Sequence, residues 1–217
     1  MHMKSILIRD FNSQDEAVRK AIQILKKNLN KGDIILTSPR FKNIRLKIMN
    51  LPSYIISTLS RGITHSCIYL GKNEVLDVDF RLMGKDVQKV NLEELLRKKI
   101  SRFKGIKIYV VQPKKYKKSH RAIVLKRAID EFIVKGKSKL YYYTELFKIF
   151  FKLKINGHKS FRKQKPIYNY KWHCSNLVAY LLKNANVPIG KRAFSTYIPS
   201  TFLFSRHFKI KKKVVIK

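Results

Sequence analysis

Hydrophobic and polar positions change their period several times along the chain, and each change marks an element. Ser13-Gln14-Asp15-Glu16 has the form of a capping box, and behind it Ala17, Val18, Ala21, Ile22, Leu25 and Leu29 recur on one face. This predicts an amphipathic helix that ends near Asn30-Lys31-Gly32. Residues 33–37 follow as a core strand. The run Thr64-His65-Ser66-Cys67-Ile68-Tyr69-Leu70-Gly71 reads as a buried strand, and Glu74-Val75-Leu76-Asp77-Val78 as its returning partner across a turn at Gly71-Lys72-Asn73. Residues 85–90 form a further strand. Asn91-Leu92-Glu93-Glu94 caps a short helix with Leu92, Leu95 and Leu96 inward, and residues 106–111 make a strand closed by Pro113. Over residues 119–135 a helix is predicted, with Leu125, Ala128, Ile129 and Phe132 as its stripe. The stretch 209–217 reads as a last strand with a basic end.

Three segments have a different character. Residues 39–59 are apolar and basic together, with Phe41, Ile44, Ile48, Leu51 and Ile55 at helical spacing and Pro52 interrupting them. A core-covering helix, a lid and a membrane-surface contact all fit this pattern. Residues 140–155 carry Tyr141, Tyr142 and Tyr143, then Leu146, Phe147, Ile149, Phe150, Phe151 and Leu153. Apolar positions there cover more than one face, which fits burial on several sides or contact with a hydrophobic ligand. Residues 163–170 contain Pro166 and Asn169 and show no helical period, whereas Leu177, Val178, Leu181 and Leu182 recur on one face. A helix therefore begins close to Cys174. The pattern as a whole predicts an α+β protein, a mixed antiparallel sheet with flanking helices, divided into an N-terminal amphipathic helix extension (1–30) and a main domain (31–217).

Length and composition narrow the class. A chain of 217 residues is long enough to bury a proper core. It holds no long apolar segment free of charges, and residues 1–10 lack a signal-peptide pattern, so a non-exported, cytoplasmic protein is expected. Two cysteines in such a length do not form a disulfide framework. The formal net charge of +36 is extreme and spread through nearly every segment. It fits an anionic partner, nucleic acid or a membrane surface carrying acidic lipids, with peripheral membrane association as one consequence. It fits equally a compositional bias, since Lys, Ile, Asn and Tyr are all plentiful, as AT-rich coding would produce. No glycine cluster has the spacing of a P-loop or dinucleotide fingerprint.

Cys174 is the residue that points to chemistry. At a helix start, unpaired N–H groups and the positive end of the helix dipole stabilise a thiolate. The same residue also fits as a small buried apolar side chain, as most free cysteines are. A thiolate needs a proton carrier, usually a histidine oriented by a third polar group. His65 and Asp77 lie on the two strands of the predicted hairpin within a register step of each other. Cys67 shares the strand face of His65 by alternation and is expected beneath it as core. His173 is too constrained by its neighbour to be the first choice of base and is a candidate for an oxyanion or substrate contact. His65, Cys67, His173 and Cys174 also make a conceivable zinc set, but the spacings match no finger or knuckle, so neither a metal nor another cofactor is expected.

Gly32-Asp33-Ile34-Ile35-Leu36, then Thr64-His65-Ser66 with Ile68-Tyr69-Leu70-Gly71, Val75-Leu76-Asp77, and finally His173-Cys174-Ser175-Asn176-Leu177-Val178 together resemble the circularly permuted NlpC-type papain-like hydrolases, the YiiX-like group. The order carries the resemblance, because the histidine strand precedes the cysteine helix, the reverse of the usual papain-like arrangement. It extends over residues 31–205, including Tyr141-Tyr142-Tyr143 and Ile198-Pro199-Ser200. It implies a permuted papain-like fold with the nucleophile helix packed on the sheet, Cys174 as nucleophile, His65 as base and Asp77 as its orienting carboxylate. By the same analogy Tyr143 approaches the substrate groove. The implied activity is hydrolysis or acyl transfer at an amide or ester, on a small lipid-derived or peptide substrate. The chain departs from the group at Asp77, where the group often has Glu and the shorter carboxylate can still orient an imidazole. It departs also at Asn176 and near Thr201, where the group often has acidic residues, and these last two departures bear on substrate preference. The rival expectation is a non-catalytic basic protein that uses such a scaffold to bind nucleic acid or an anionic membrane.

Overall fold

The computed structural model describes residues 5–9, 13–40, 57–58, 61–78, 87–103, 105–135, 173–191 and 197–217. In chain order the elements are β1 (Ser5–Ile8), α1 (Gln14–Lys26), β2 (Ile34–Arg40), β3 (His65–Gly71), β4 (Glu74–Val78), β5 (Val87–Asn91), α2 (Leu92–Arg102), β6 (Gly105–Pro113), α3 (Lys118–Arg127), α4 (Cys174–Asn184), α5 (Pro199–Phe204) and β7 (Phe208–Ile216). The seven strands form one sheet in the order β1-β7-β6-β2-β3-β4-β5. It is mixed: β1 runs parallel to β7, and every other neighbouring pair is antiparallel. The protein is thus α+β, as its sequence pattern predicts.

Strand alternation divides the core between the two faces of this sheet. Ile35, Cys67, Val75, Ile106, Ile108 and Val110 point to one side, where they meet the buried stripes of α1 (Ala17, Val18, Ala21, Ile22, Leu25) and α2 (Leu92, Leu95, Leu96, Ile100). Ile34, Leu36, Ile68, Leu76 and Val111 point to the other, against Val124 of α3, Leu177, Val178, Leu181 and Leu182 of α4, and Phe202 of α5. Strands buried on both faces are near-continuously apolar, which is why β2 and β3 read as runs and not as alternations.

The segment expected as an N-terminal extension supplies the edge strand β1 and a helix packed on the sheet. Ser13 caps α1 by accepting the Glu16 N–H. The helix stops at Lys26, earlier than the sequence suggests, because its last apolar residue, Leu29, is reached by a turn in which Asn28 and Leu29 both donate to the Leu25 carbonyl. Asn91 caps α2 through the N–H groups of Glu93 and Glu94.

Two expectations change. The predicted stripe of the 119–135 helix is Val124, Ala128 and Phe132 in the structure, while Ile129 faces out. Beyond Arg127 the helix widens over Ala128–Val134 to i→i+5 bonding, as in Lys135 N–H to the Asp130 carbonyl. More residues per turn bring positions four apart into line, and Ile129 leaves the apolar face. Pro39, assigned by sequence to the basic apolar segment, belongs to β2, opposite Ile106. Most of that segment, and all of residues 140–155 with Tyr143, lie outside the described residues.

A buried charge fastens the start of β2. Asp33 is fully buried and pairs with Arg121 of α3 at 2.7 Å and Lys211 of β7 at 2.6 Å. Arg121 also donates to the Lys31 carbonyl and to Gln112, and lies over the Tyr116 ring, whose hydroxyl donates to the Gly32 carbonyl.

Candidate active site

The β3–β4 hairpin closes through Lys72 and Asn73, both with positive φ (48° and 66°), as a two-residue turn of the type matched to strand twist requires. Its register pairs Ile68 with Leu76 and Tyr69 with Val75. Continued one step, that register sets Cys67 against Asp77, and His65 falls on the diagonal two residues along the same face. The side chains close this diagonal: His65 Nε2 bonds Asp77 Oδ1. On its other side His65 pairs with Thr37 of β2. With Nε2 taken by the carboxylate, Nδ1 is the nitrogen left to exchange a proton.

Cys174 is the first residue of α4. His173 is the N-cap, with extended backbone (φ −116°, ψ 162°), and its N–H donates to Asn176 Oδ1 at 2.8 Å. The Asn176 N–H in return donates to His173 Nδ1 at 3.3 Å. Ser175 donates its hydroxyl proton to the Tyr197 carbonyl at 2.7 Å, tying the first turn to the segment ahead of α5. Farther along, Tyr180 donates to Glu131 and packs edge-on against Phe132, which fixes α4 to the widened end of α3. The thiol is therefore carried on a rigid helix, 5% exposed.

The two ends meet electrostatically. Burial by itself raises the Cys174 thiol, but the charge of His65 and interaction with the His173 and His65 side chains overcome it and bring the thiol down from 9.0 to about 5. Burial opposes the His65 imidazolium, and Lys99 opposes it too. The Asp77 carboxylate and the Cys174 thiolate outweigh both, so His65 is pushed up from 6.5 to about 9. Asp77 is held below the usual carboxylate range, burial notwithstanding, chiefly by His65. The favoured state is a thiolate beside an imidazolium, with the positive charge also facing a carboxylate. Such a site can attack an electrophilic carbon and return a proton to the departing group.

Of the residues singled out by sequence, His65 and Asp77 are in contact, Cys174 interacts with His65, and His173 is the cap at its side. Cys67 is buried and free, with its sulfur 3.8 Å from the Ile35 carbonyl. Burial and the neighbouring Asp77 charge push its thiol well up, which leaves it unreactive. Lys99 was not singled out, yet it acts on both His65 and Asp77. A signal was present, since a lysine stands on the inward stripe of α2 that Leu92, Leu95 and Leu96 define. Among the described residues no three His, Cys, Asp or Glu side chains are grouped to hold a metal ion. Nor, among them, is any helix long and apolar enough to cross a membrane. Comparison with protein-family models and with curated proteins found no match to the chain.

Proposed function

We propose that the protein is a cysteine-dependent hydrolase or acyltransferase of the permuted papain-like, NlpC type, similar to the YiiX-like group. The observation that carries this reading is His65 held between the buried Asp77 carboxylate and a thiol at the first position of α4. Cys174 Sγ attacks the carbonyl carbon of an amide or ester, forming the C–S bond while the carbonyl π pair moves to oxygen. The tetrahedral species collapses, the bond to the leaving group breaks, and His65 Nδ1 delivers the proton that group needs. Water or another acceptor, deprotonated by His65, then resolves the thioester. The backbone N–H of Cys174 has no acceptor within the helix and is a natural donor to the carbonyl oxygen.

The departures at Asn176 and Thr201 support the reading once their places are known. Both stand at the third position of a helix, and both return a bond to the residue that precedes it: Asn176 Oδ1 accepts from His173, Thr201 Oγ1 accepts from Ile198 at 3.3 Å. An acidic side chain at that position of a capping box does the same task. Asn176 and Thr201 thus keep the capping bond that an acidic side chain would make at those positions.

A small amide, ester or peptide is the proposed substrate, with a lipid-derived acyl group suited to the aromatic character of residues 140–155. The +36 charge supports work at an anionic membrane surface, which for a cytoplasmic protein means peripheral association. It also favours the second reading, a basic protein that binds such a surface or nucleic acid without chemistry.

The test is the pH dependence of alkylation by iodoacetamide, with Cys67→Ser in every background to isolate one thiol. The expected result is a thiol that titrates near 5 and moves up when His65→Ala is introduced. A thiol that titrates near its ordinary 9.0 in both backgrounds would leave only the binding-protein reading.

A further inference from the structure

The cap of α4 leaves one polar atom without a partner. His173 is 6% exposed, and its Nε2 is buried with no hydrogen bond. Which ring nitrogen carries the proton follows from the other side of the ring. The Asn176 N–H, three residues into the helix, has no carbonyl behind it and must find an acceptor elsewhere. It finds His173 Nδ1. Ser175 Oγ lies 3.1 Å from the same nitrogen, but its proton is committed to the Tyr197 carbonyl, so it does not compete for the Nδ1 lone pair. Nδ1 is thus the acceptor nitrogen and the ring proton sits on Nε2. Holding a donor buried and unpaired costs free energy, and here it is held beside a nucleophile with which the same ring interacts.

We propose that His173 Nε2–H is the second donor of an oxyanion hole, acting with the backbone N–H of Cys174 on the carbonyl oxygen of the substrate. This rests on the acyl-transfer reading and adds to it. When Cys174 Sγ bonds to the carbonyl carbon, the π electrons move onto oxygen, and that oxygen accepts from Nε2–H. When the C=O bond re-forms and the leaving group departs with the proton from His65, the hydrogen bond weakens again. His173 contributes this hydrogen bond while its Nδ1 stays engaged with the Asn176 N–H at the helix start. The chain therefore divides two tasks between two histidines: His65, bound to a carboxylate through Nε2, moves protons, and His173, bound to a helix start through Nδ1, stabilises charge.

The experiment compares two reactions of the same thiol in the full chain, with Cys67→Ser throughout. Alkylation by iodoacetamide displaces iodide at a saturated carbon and forms no oxyanion. Acylation by p-nitrophenyl butyrate passes through one and is read as the burst of p-nitrophenolate. Each protein is measured at a pH where its own alkylation profile has levelled, which removes differences in thiolate fraction. His173→Ser keeps a cap acceptor and loses the Nε2–H. It should alkylate within about twofold of the parent and acylate about 10²-fold more slowly, the loss expected for one oxyanion donor. His173→Asn, whose oxygen also caps the helix and whose amide ends short of the Nε2 position, provides a second protein with the same expectation should the first fail to fold. Equal slowing of both reactions, or slowing of neither, overturns the proposal. A parent protein that alkylates at low pH but releases no p-nitrophenolate overturns the acyl-transfer reading, and this inference with it.

Discussion

A single proton exchanged between Cys174 and His65 governs the chemistry at residue scale. His65 binds its proton more tightly in the folded chain, at about 9 against 6.5. Its contribution to stability is complete below about 6.5 and is lost as pH rises through about 9. Cys174 is shifted the other way, from 9.0 to about 5. Its contribution is complete above about 9 and is lost as pH falls through about 5. The thiolate–imidazolium pair therefore exists between these limits. Burst acylation of the parent protein should give a bell-shaped profile rising near pH 5 and falling near pH 9, measured by stopped-flow release of p-nitrophenolate. A single rise near pH 9, with no falling limb, would mean that an ordinary thiol reacts without His65. The members of the pair were legible in the sequence because a two-residue turn fixes hairpin register, and register fixes which carboxylate an imidazole can reach. The proton position on His173 was not legible, since it depends on which acceptor the Asn176 N–H finds, a fact of tertiary geometry. Lys99 was half legible: its place on an apolar stripe was visible, but the Asp77 carboxylate it faces lies on another element.

Among the elements, those that a cap or a long period announces could be read in advance. Ser13 and Asn91 start their helices as the sequence suggests, and the apolar positions behind them are the buried ones. β1 escaped notice, because four residues, Ser5–Ile8, give too short a pattern, and their strand identity comes from pairing in parallel with β7 at the far end of the chain. The widened end of α3 escaped for a related reason. Its i→i+5 turns let Phe132 and Glu131 meet Tyr180 of α4, so a tertiary contact selects a helix geometry that local propensity does not favour. Caps, in contrast, act locally and can be tested locally. Asn91→Ala removes the acceptor for the Glu93 and Glu94 N–H groups and should destabilise the protein by about 1 kcal/mol. Urea denaturation should show the midpoint falling with an unchanged slope. A change below about 0.2 kcal/mol would mean that water replaces the cap without loss.

Across the whole molecule, charge is the dominant imbalance. The chain has 49 Lys and Arg against 13 Asp and Glu, so carboxylate partners are scarce. Among the described residues, some ion pairs join different elements and others are local i,i+4 pairs. Arg97 of α2 pairs with both Asp15 and Glu93, Arg127 with Glu131, and the one fully buried carboxylate of these pairs, Asp33, holds Arg121 and Lys211. Salt therefore acts on two opposed quantities. It weakens exposed pairs, each worth about 0.2–1 kcal/mol, and it screens mutual repulsion among cations spread through nearly every segment of the sequence, with a Debye length that falls from about 30 Å at 0.01 M to about 8 Å at 0.15 M. The buried Asp33 pairs are largely exempt from screening, so the structural clasp persists while the repulsion declines. With cations outnumbering carboxylates this far, relief of repulsion is the larger effect. The melting temperature should rise by several degrees between about 10 mM and 300 mM sodium chloride, followed by circular dichroism. A melting temperature that falls over this range would show that the surface pairs, few as they are, contribute more than the net charge takes away.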